Sequence, residues 1–404
     1  MRKVDQSRAH ALAAVAREAL PDSPALRAFR ERGIADLETA GLPVGHEAWR
    51  FTPPNQLVAP ELTAVATPGM ALPRPDGLGD APFAHFVDGF PHEATLPRFS
   101  DTQAPLPDAQ AGDDGFAALN RAFFQDGVDL VLEGDARGAY HIVHQSTVPL
   151  GLTANRHRIY VKSGAKVQLV EHVQGTDDPT FSTLLTDVVV EGGARVSYVR
   201  ISTGGPGTRQ TARITAEIQE GAHFAAGSFI IGGHTTRVEL TANLRGPGAD
   251  VTFFGLALLR GQSHADQHVT ARHAMPHATS DQVFRSIVDG TSQSIYTGTV
   301  IVDKGALGTD SNQLHQALLL SDDATVHARP WLEIYADDVK CAHGATVGSL
   351  DADSLFYLRQ RGLTETEARG LLMWAFATGT VEQLPEGPVR DALSDQVRQW
   401  LEAS

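Results

Sequence analysis

One cysteine, Cys341, is all the thiol that the 404 residues hold. A single thiol closes no internal disulfide, which fits a reducing, cytoplasmic setting. Nor can it build a zinc finger or another all-cysteine centre, which takes about four ligands. Lysine is scarce too, at Lys3, Lys162, Lys166, Lys304 and Lys340. Only Lys162 precedes a Ser or Thr, and Val161 stands before it where a phosphate-binding loop needs glycine. No G-x-G-x-x-G precedes a helix either, so the chain is not expected to hydrolyse ATP or bind a dinucleotide. Lys and Arg total 33 against 48 Asp and Glu, a net charge of −15. That excess of acid weighs against nucleic acid and against an anionic membrane surface. No stretch approaches the roughly 18 apolar residues that span a bilayer. The start, "MRKVDQSRAHALAAVAREAL", is broken by Asp5, Arg8, His10, Arg17 and Glu18 and does not read as a signal peptide.

What is present falls into three textures. Apolar residues in "SRAHALAAVAREAL" recur at helical spacing. Ser23 and Pro24 give an N-cap and a first-turn proline for a second helix, through "ALRAFRERGIADLETA" to near Gly41. From Thr67 to Gly112 the chain is rich in Pro, Gly and Asp, and the expectation is a long loop. From about Val128 the period becomes two, as in Val167, Leu169 and Val173, or Ile214, Ala216 and Ile218. Gly-Ala pairs at Gly164, Gly193, Gly221 and Gly248 recur at steps of 29, 28 and 27 residues, each before an apparent strand. A fixed period with strands, glycine turns and no helices points to a β-helix; a β-sandwich is the plainer alternative. After Gly348 helices return: "LDADSLFYLRQRG", "TETEARGLLMWAFA" with a capping box at Thr364 and Glu367, and "EGPVRDALSDQVRQWLEAS".

Three groups of residues carry candidate chemistry. His264, His268, His273 and His277 lie close in sequence, but their spacing matches no ligand motif, and solvated histidines are the plainer account. Asp337, Asp338 and Asp351 offer carboxylates for a carbohydrate-active β-helix. Aromatic content of 7% is low for a sugar-binding groove. Cys341 and His343 share one side of an extended segment, so thiol and imidazole would project together. An inert buried cysteine beside a hydrogen-bonded histidine is the competing reading.

The block "RPWLEIYADDVKCAHGATVGSLDADSLFYLRQRGLTETEARGLLMWAF" resembles the signature of the SufB/SufD family of iron–sulfur cluster assembly scaffolds. The upstream run from Met275 to Ala324, "LNRAFFQDGVDLVL" and "GLPVGHEAWRFT" are similar to that family as well. Few cysteines and short length resemble its SufD branch. Ala342 departs from the usual serine between the cysteine and the histidine. The resemblance implies a mainly β fold: a right-handed parallel β-helix core flanked by α-helical regions. The expected division is an N-terminal helical region with a long loop over 1–115, a β-helix over 116–348 and a helical ATPase-docking domain over 349–404.

The resemblance also implies a non-catalytic scaffold subunit of a SufBCD-type complex. It would pair with a SufB-like paralogue and dock a SufC-like ABC-type ATPase. A transient iron–sulfur cluster at the paralogue interface is expected to involve His343 first and Cys341 second. The expected ATPase-docking residues are Leu355, Phe356, Leu358, Arg359, Leu371, Leu372 and Phe376. A reduced flavin belongs to such a complex as a whole, though no flavin motif is legible here. Two other classes stay open at this point: a cytoplasmic carbohydrate-active β-helix, and a homodimeric interaction scaffold without a metal role.

Overall fold

The computed structural model describes residues 5–20, 24–99 and 115–403. Ser23, expected as a cap, and the last part of the Thr67–Gly112 stretch lie outside them. Six α-helices are described: α1 (Gln6–Ala19), α2 (Pro24–Ala40), α3 (Gly115–Phe123), α4 (Ala352–Gln360), α5 (Glu365–Val381) and α6 (Pro388–Glu402). Between α3 and α4 the chain winds as a two-sheeted parallel β-solenoid. Sheet 1 takes in the strands from Asp135–Ser146 through Lys166–Gly175 and onward to Lys340–Gly348. Sheet 2 takes in those from Gly151–Val161 to Thr325–Ile334, so each coil gives one strand to each sheet.

The Gly-Ala repeat has a backbone cause. Gly164, Gly193, Gly221 and Gly248 turn the chain with φ of +71°, +70°, +60° and +65°. This is the left-handed region that glycine enters without steric cost. The alanine that follows each is buried in the solenoid interior. The same corner recurs at Gly134, His277, Gly308 and Asp338, with φ of +70°, +58°, +70° and +54°. His and Asp tolerate this conformation better than most residues. The repeat therefore runs beyond the four pairs visible in the sequence, and Asp338 of the acidic pair is the corner of the last coil.

Alternate residues of each strand fill the interior with Val, Leu, Ile, Ala and Phe. The outer face of sheet 2 is covered near its start by α1, α2 and α3, which pack with Leu152, Ala154 and Phe181. The segment "EAWRFT" straps the same face. Trp49 stacks on Phe116 at 4.4 Å, and the Arg237 guanidinium sits 3.9 Å over its ring. Thr52 donates to Asp266. The outer face of sheet 1 is covered by α5 and α6, whose Met373, Val381, Leu393 and Val397 pack with Val170, Phe229 and Leu256. Arg285 donates to the Phe376 carbonyl, and Arg260 lies 3.7 Å over the Trp400 ring.

One segment departs from expectation. The stretch read as a long loop contains a hairpin, Phe83–Val87 with Phe90–Ala94, which joins sheet 1 beside Asp135–Ser146. Its turn is Asp88-Gly89, at φ +50° and +84°. Asp-Gly is a strong turn dipeptide because both central residues take positive φ, and the surrounding Pro and Gly masked it. No helix among the described residues is long and apolar enough to cross a membrane.

Candidate functional site

Cys341 and His343 stand on Lys340–Gly348, the outermost strand of sheet 1. In parallel register Cys341 lies beside Ser311, His343 beside Gln313 and Ala345 beside His315. Those three neighbours are buried and point inward. Cys341 and His343 therefore face the interior too, as the two-residue period requires. Among the described residues no further coil covers them. His343 is exposed and Cys341 half-buried. The other strand of this coil, Thr325–Ile334, is the free edge of sheet 2 and is buried at none of its positions. Trp331, Tyr335 and Val347 are exposed around the same end. The solenoid is thus a closed stack ending in an open mouth.

The two candidates differ in environment. Cys341 packs with Val300, Val302 and Ala306 in a small apolar cluster. Burial, then the nearby Asp310 carboxylate, raises its pKa and keeps the thiol protonated. The carboxylate that matters is Asp310 on the neighbouring strand, rather than the adjacent Asp337 and Asp338. His343 has no such apolar seat.

Beneath the mouth the interior turns polar. Tyr296 donates to Gln282 Oε1 at 3.0 Å, and Gln313 Nε2 donates to the same oxygen at 3.3 Å. His315 stacks flat on Tyr296 at 4.9 Å. Its Nε2 lies 3.3 Å from Ser286 Oγ. Burial lowers the His315 pKa to about 4 and keeps it neutral.

The four histidines close in sequence do not converge. His264 meets Thr52 at 2.8 Å and His268 meets Asp266 at 3.0 Å, both under the N-terminal strap. His273 bonds Ser280 inside the solenoid at 2.9 Å, and His277 forms a corner. The three carboxylates considered for glycosidic chemistry are separated as well. Asp338 is a corner, Asp351 caps α4 by accepting from the Ser354 N–H, and Asp337 is exposed.

At the opposite end of the interior lies a group that sequence reasoning missed. His144, His157 and Glu171 are buried, with ligating atoms within 4.8 Å of one another. Glu171 falls in phase with Val167, Leu169 and Val173, the one signal that could have found it. The hydrogen bonds argue against a metal here. The Val128 N–H donates to His157 Nδ1 at 3.0 Å, so His157 carries its proton on Nε2. That proton goes to His144 Nε2, 3.0 Å away. The two Nε2 positions are spent on each other, while His144 Nδ1 and Glu171 Oε1 have no hydrogen-bond partner among the described residues. Burial opposes the charge on Glu171, but Arg200 at 2.9 Å outweighs it, helped by His144, His157 and Tyr198, and holds its pKa at about 2. A carboxylate already neutralised by arginine has little charge left for a cation.

The expected docking residues cluster on α4 and α5. No residue of α4 is buried. Phe356 is 65% exposed and Leu371 47%. Leu355, Leu358, Leu372 and Phe376 are half-buried, and the exposed Arg359 pairs with Glu365 at 3.5 Å. A shallow groove between the helices is lined by Tyr357, Leu358, Leu371 and Leu372. The face of α5 that turns inward is instead Ala368, Met373, Ala377 and Val381. Leu371 and Ala375 are exposed and Leu372 half-buried, because Met373 and Ala377 take the inner side. The capping box of Thr364 and Glu367 is formed.

The chain is a parallel β-solenoid with one uncovered end, flanked there by α4, which buries no residue, and by the outward side of α5. The family profile described as "SUF system FeS cluster assembly, SufBD core domain" matches residues 142–376. The chain belongs to that family. Along 396 residues it is 26% identical to the iron-sulfur cluster assembly protein SufD of Escherichia coli (strain K12), covering 92% of each chain. A SufBD family iron-sulfur cluster assembly protein of Synechocystis is 26% identical over 410 residues, 90% of each chain. A chloroplast protein of Arabidopsis thaliana, ABCI7, is 28% identical over 248 residues, 60% of this chain and 52% of its own. Within the family the chain is SufD-like.

Proposed function

We propose that the chain is the scaffold subunit of a SUF-type complex that pairs with a SufB-like paralogue through the open end of its solenoid. The nascent iron–sulfur cluster is cargo, held between the two subunits. His343 supplies a nitrogen ligand from this side, and Cys341 stands next to it as a thiol that must lose its proton to take part. A SufC-like ATPase docks on the outward face of α4 and α5, around Phe356 and Leu371, so the ATP chemistry resides in the partner. The observation that carries this reading is the last coil. Its inward side chains face no further coil, while the rest of the interior is sealed.

Replacing His343 by Ala tests it. The variant should fold and pair with the paralogue normally, yet form clusters on the reconstituted complex at least about tenfold more slowly. Normal cluster formation would sink the reading. The docking face has its own check. Leu371→Glu should abolish pull-down of the ATPase without changing thermal unfolding, and undiminished capture would remove α5 from the docking surface.

A further inference from the structure

We propose that Gln313 is the positioning residue for His343. Its Oε1 accepts a hydrogen bond from one imidazole N–H, which leaves the other ring nitrogen to face the cargo at the open mouth. The inference rests on the role given to His343 above.

The geometry begins with register. Gln313 is the residue directly beside His343 on the neighbouring strand, where parallel strands run about 4.8 Å apart. Both point inward. Gln313 is 1% exposed, and its amide is fixed from below. Nε2 donates to Gln282 Oε1, which Tyr296 also donates to. Since Nε2 reaches back toward the preceding coil, Oε1 is turned away from it, toward the coil that carries His343. That oxygen is buried and has no partner among the described residues. A buried carbonyl oxygen without a donor is costly, about 1–3 kcal/mol. An apolar residue would avoid that cost, and the interior is otherwise rich in them. An N–H from the next coil removes the cost, and the only side chain in register is His343.

The chemistry fits a ligand histidine. A metal-binding imidazole usually donates its second N–H to an oxygen acceptor, which fixes tautomer and ring orientation. In the uncovered chain His343 is exposed and solvent competes for its N–H. When the mouth is covered, Oε1 becomes the acceptor within reach. Hydrogen bonds of this kind are often long before a site closes.

The test uses the full chain with histidine labelled with ¹⁵N, alone and paired with the paralogue, and a His343→Ala sample to assign the signal. In the wild-type pair, His343 should show one tautomer. Gln313→Met, of similar length and without an acceptor, should give a tautomer mixture and an about tenfold slower cluster formation with unchanged pairing. Gln313→Glu with its buried carboxyl protonated, which donates to Gln282 Oε1 and still offers an acceptor, should restore the single tautomer. Unchanged His343 nitrogen shifts in Gln313→Met would overturn the inference. His343→Ala would still decide the broader reading separately. If Gln313→Met does not fold, Gln282→Met, which frees the Gln313 amide from its anchor, should broaden the His343 tautomer signal. A sharp wild-type signal there would refute the inference equally.

Discussion

At one end of the solenoid interior His144, His157 and Glu171 lie sealed among Phe86, Tyr198 and Arg200; at the other, Cys341 and His343 lie at an open mouth. By residue type alone the sealed group is the better metal site, with two imidazoles and a carboxylate. Its two imidazole Nε2 atoms are spent on each other, and arginine already answers its charge. The open pair offers fewer ligands, but it lies where the second subunit proposed above could supply the rest. Ligand types in proximity are therefore a weaker sign of function than ligand types at a surface that something can reach.

Three measurements would break or sharpen this contrast. The largest effect is expected at the sealed end. Glu171→Ala leaves Arg200 buried without its counter-charge, which should cost about 3–5 kcal/mol in chemical unfolding. A loss below 1 kcal/mol would mean that the sealed group is not a structural ion pair. Acidification should act next. Burial first, and then the Arg200 charge against the Glu171 attraction, puts the His157 pKa at about 4 in the fold, against about 6.5 unfolded. Its folded pKa is depressed, so its contribution is complete above about 6.5 and is lost as pH falls toward 4. Stability should drop by about 1.4 kcal/mol per pH unit for each such histidine across that window. His157→Gln should flatten the slope by one histidine's share. Glu171, with a pKa near 2, begins to matter only below about 4.3, so the two effects separate. The smallest effect is expected at the mouth, where Cys341→Ser should cost about 1 kcal/mol, through its packing with Val300 and Val302. A cost of several kcal/mol would make Cys341 a core residue rather than a member of the mouth.

The sequence makes the solenoid legible where glycine marks the corner, at Gly164, Gly193, Gly221 and Gly248. It hides the corners where His277 and Asp338 do the same work, because a left-handed backbone is a conformation and not a residue type. The hairpin was hidden for the opposite reason, since Asp88-Gly89 sits among so many other turn residues. Glu171 and Arg200 keep the inward period of their strands, but period says which face a side chain takes and not whether its charge is answered there. The candidate pair was legible from the family signature and its two-residue spacing. That the pair faces an uncovered interior was not, because the end of a stack is set by where the next coil fails to form.

The uncovered coil also sets a valency. Among the described residues one end of this rod leaves its inward side chains uncovered, whereas at the other the hairpin, the first strands and α3 pack over the interior. A rod with two sticky ends grows into a filament, whereas a rod with one is consumed by a single encounter. In the pairing proposed above, association through this coil would stop at a pair, and the seam between two such rods would be one chamber, shared by both and repeated by neither.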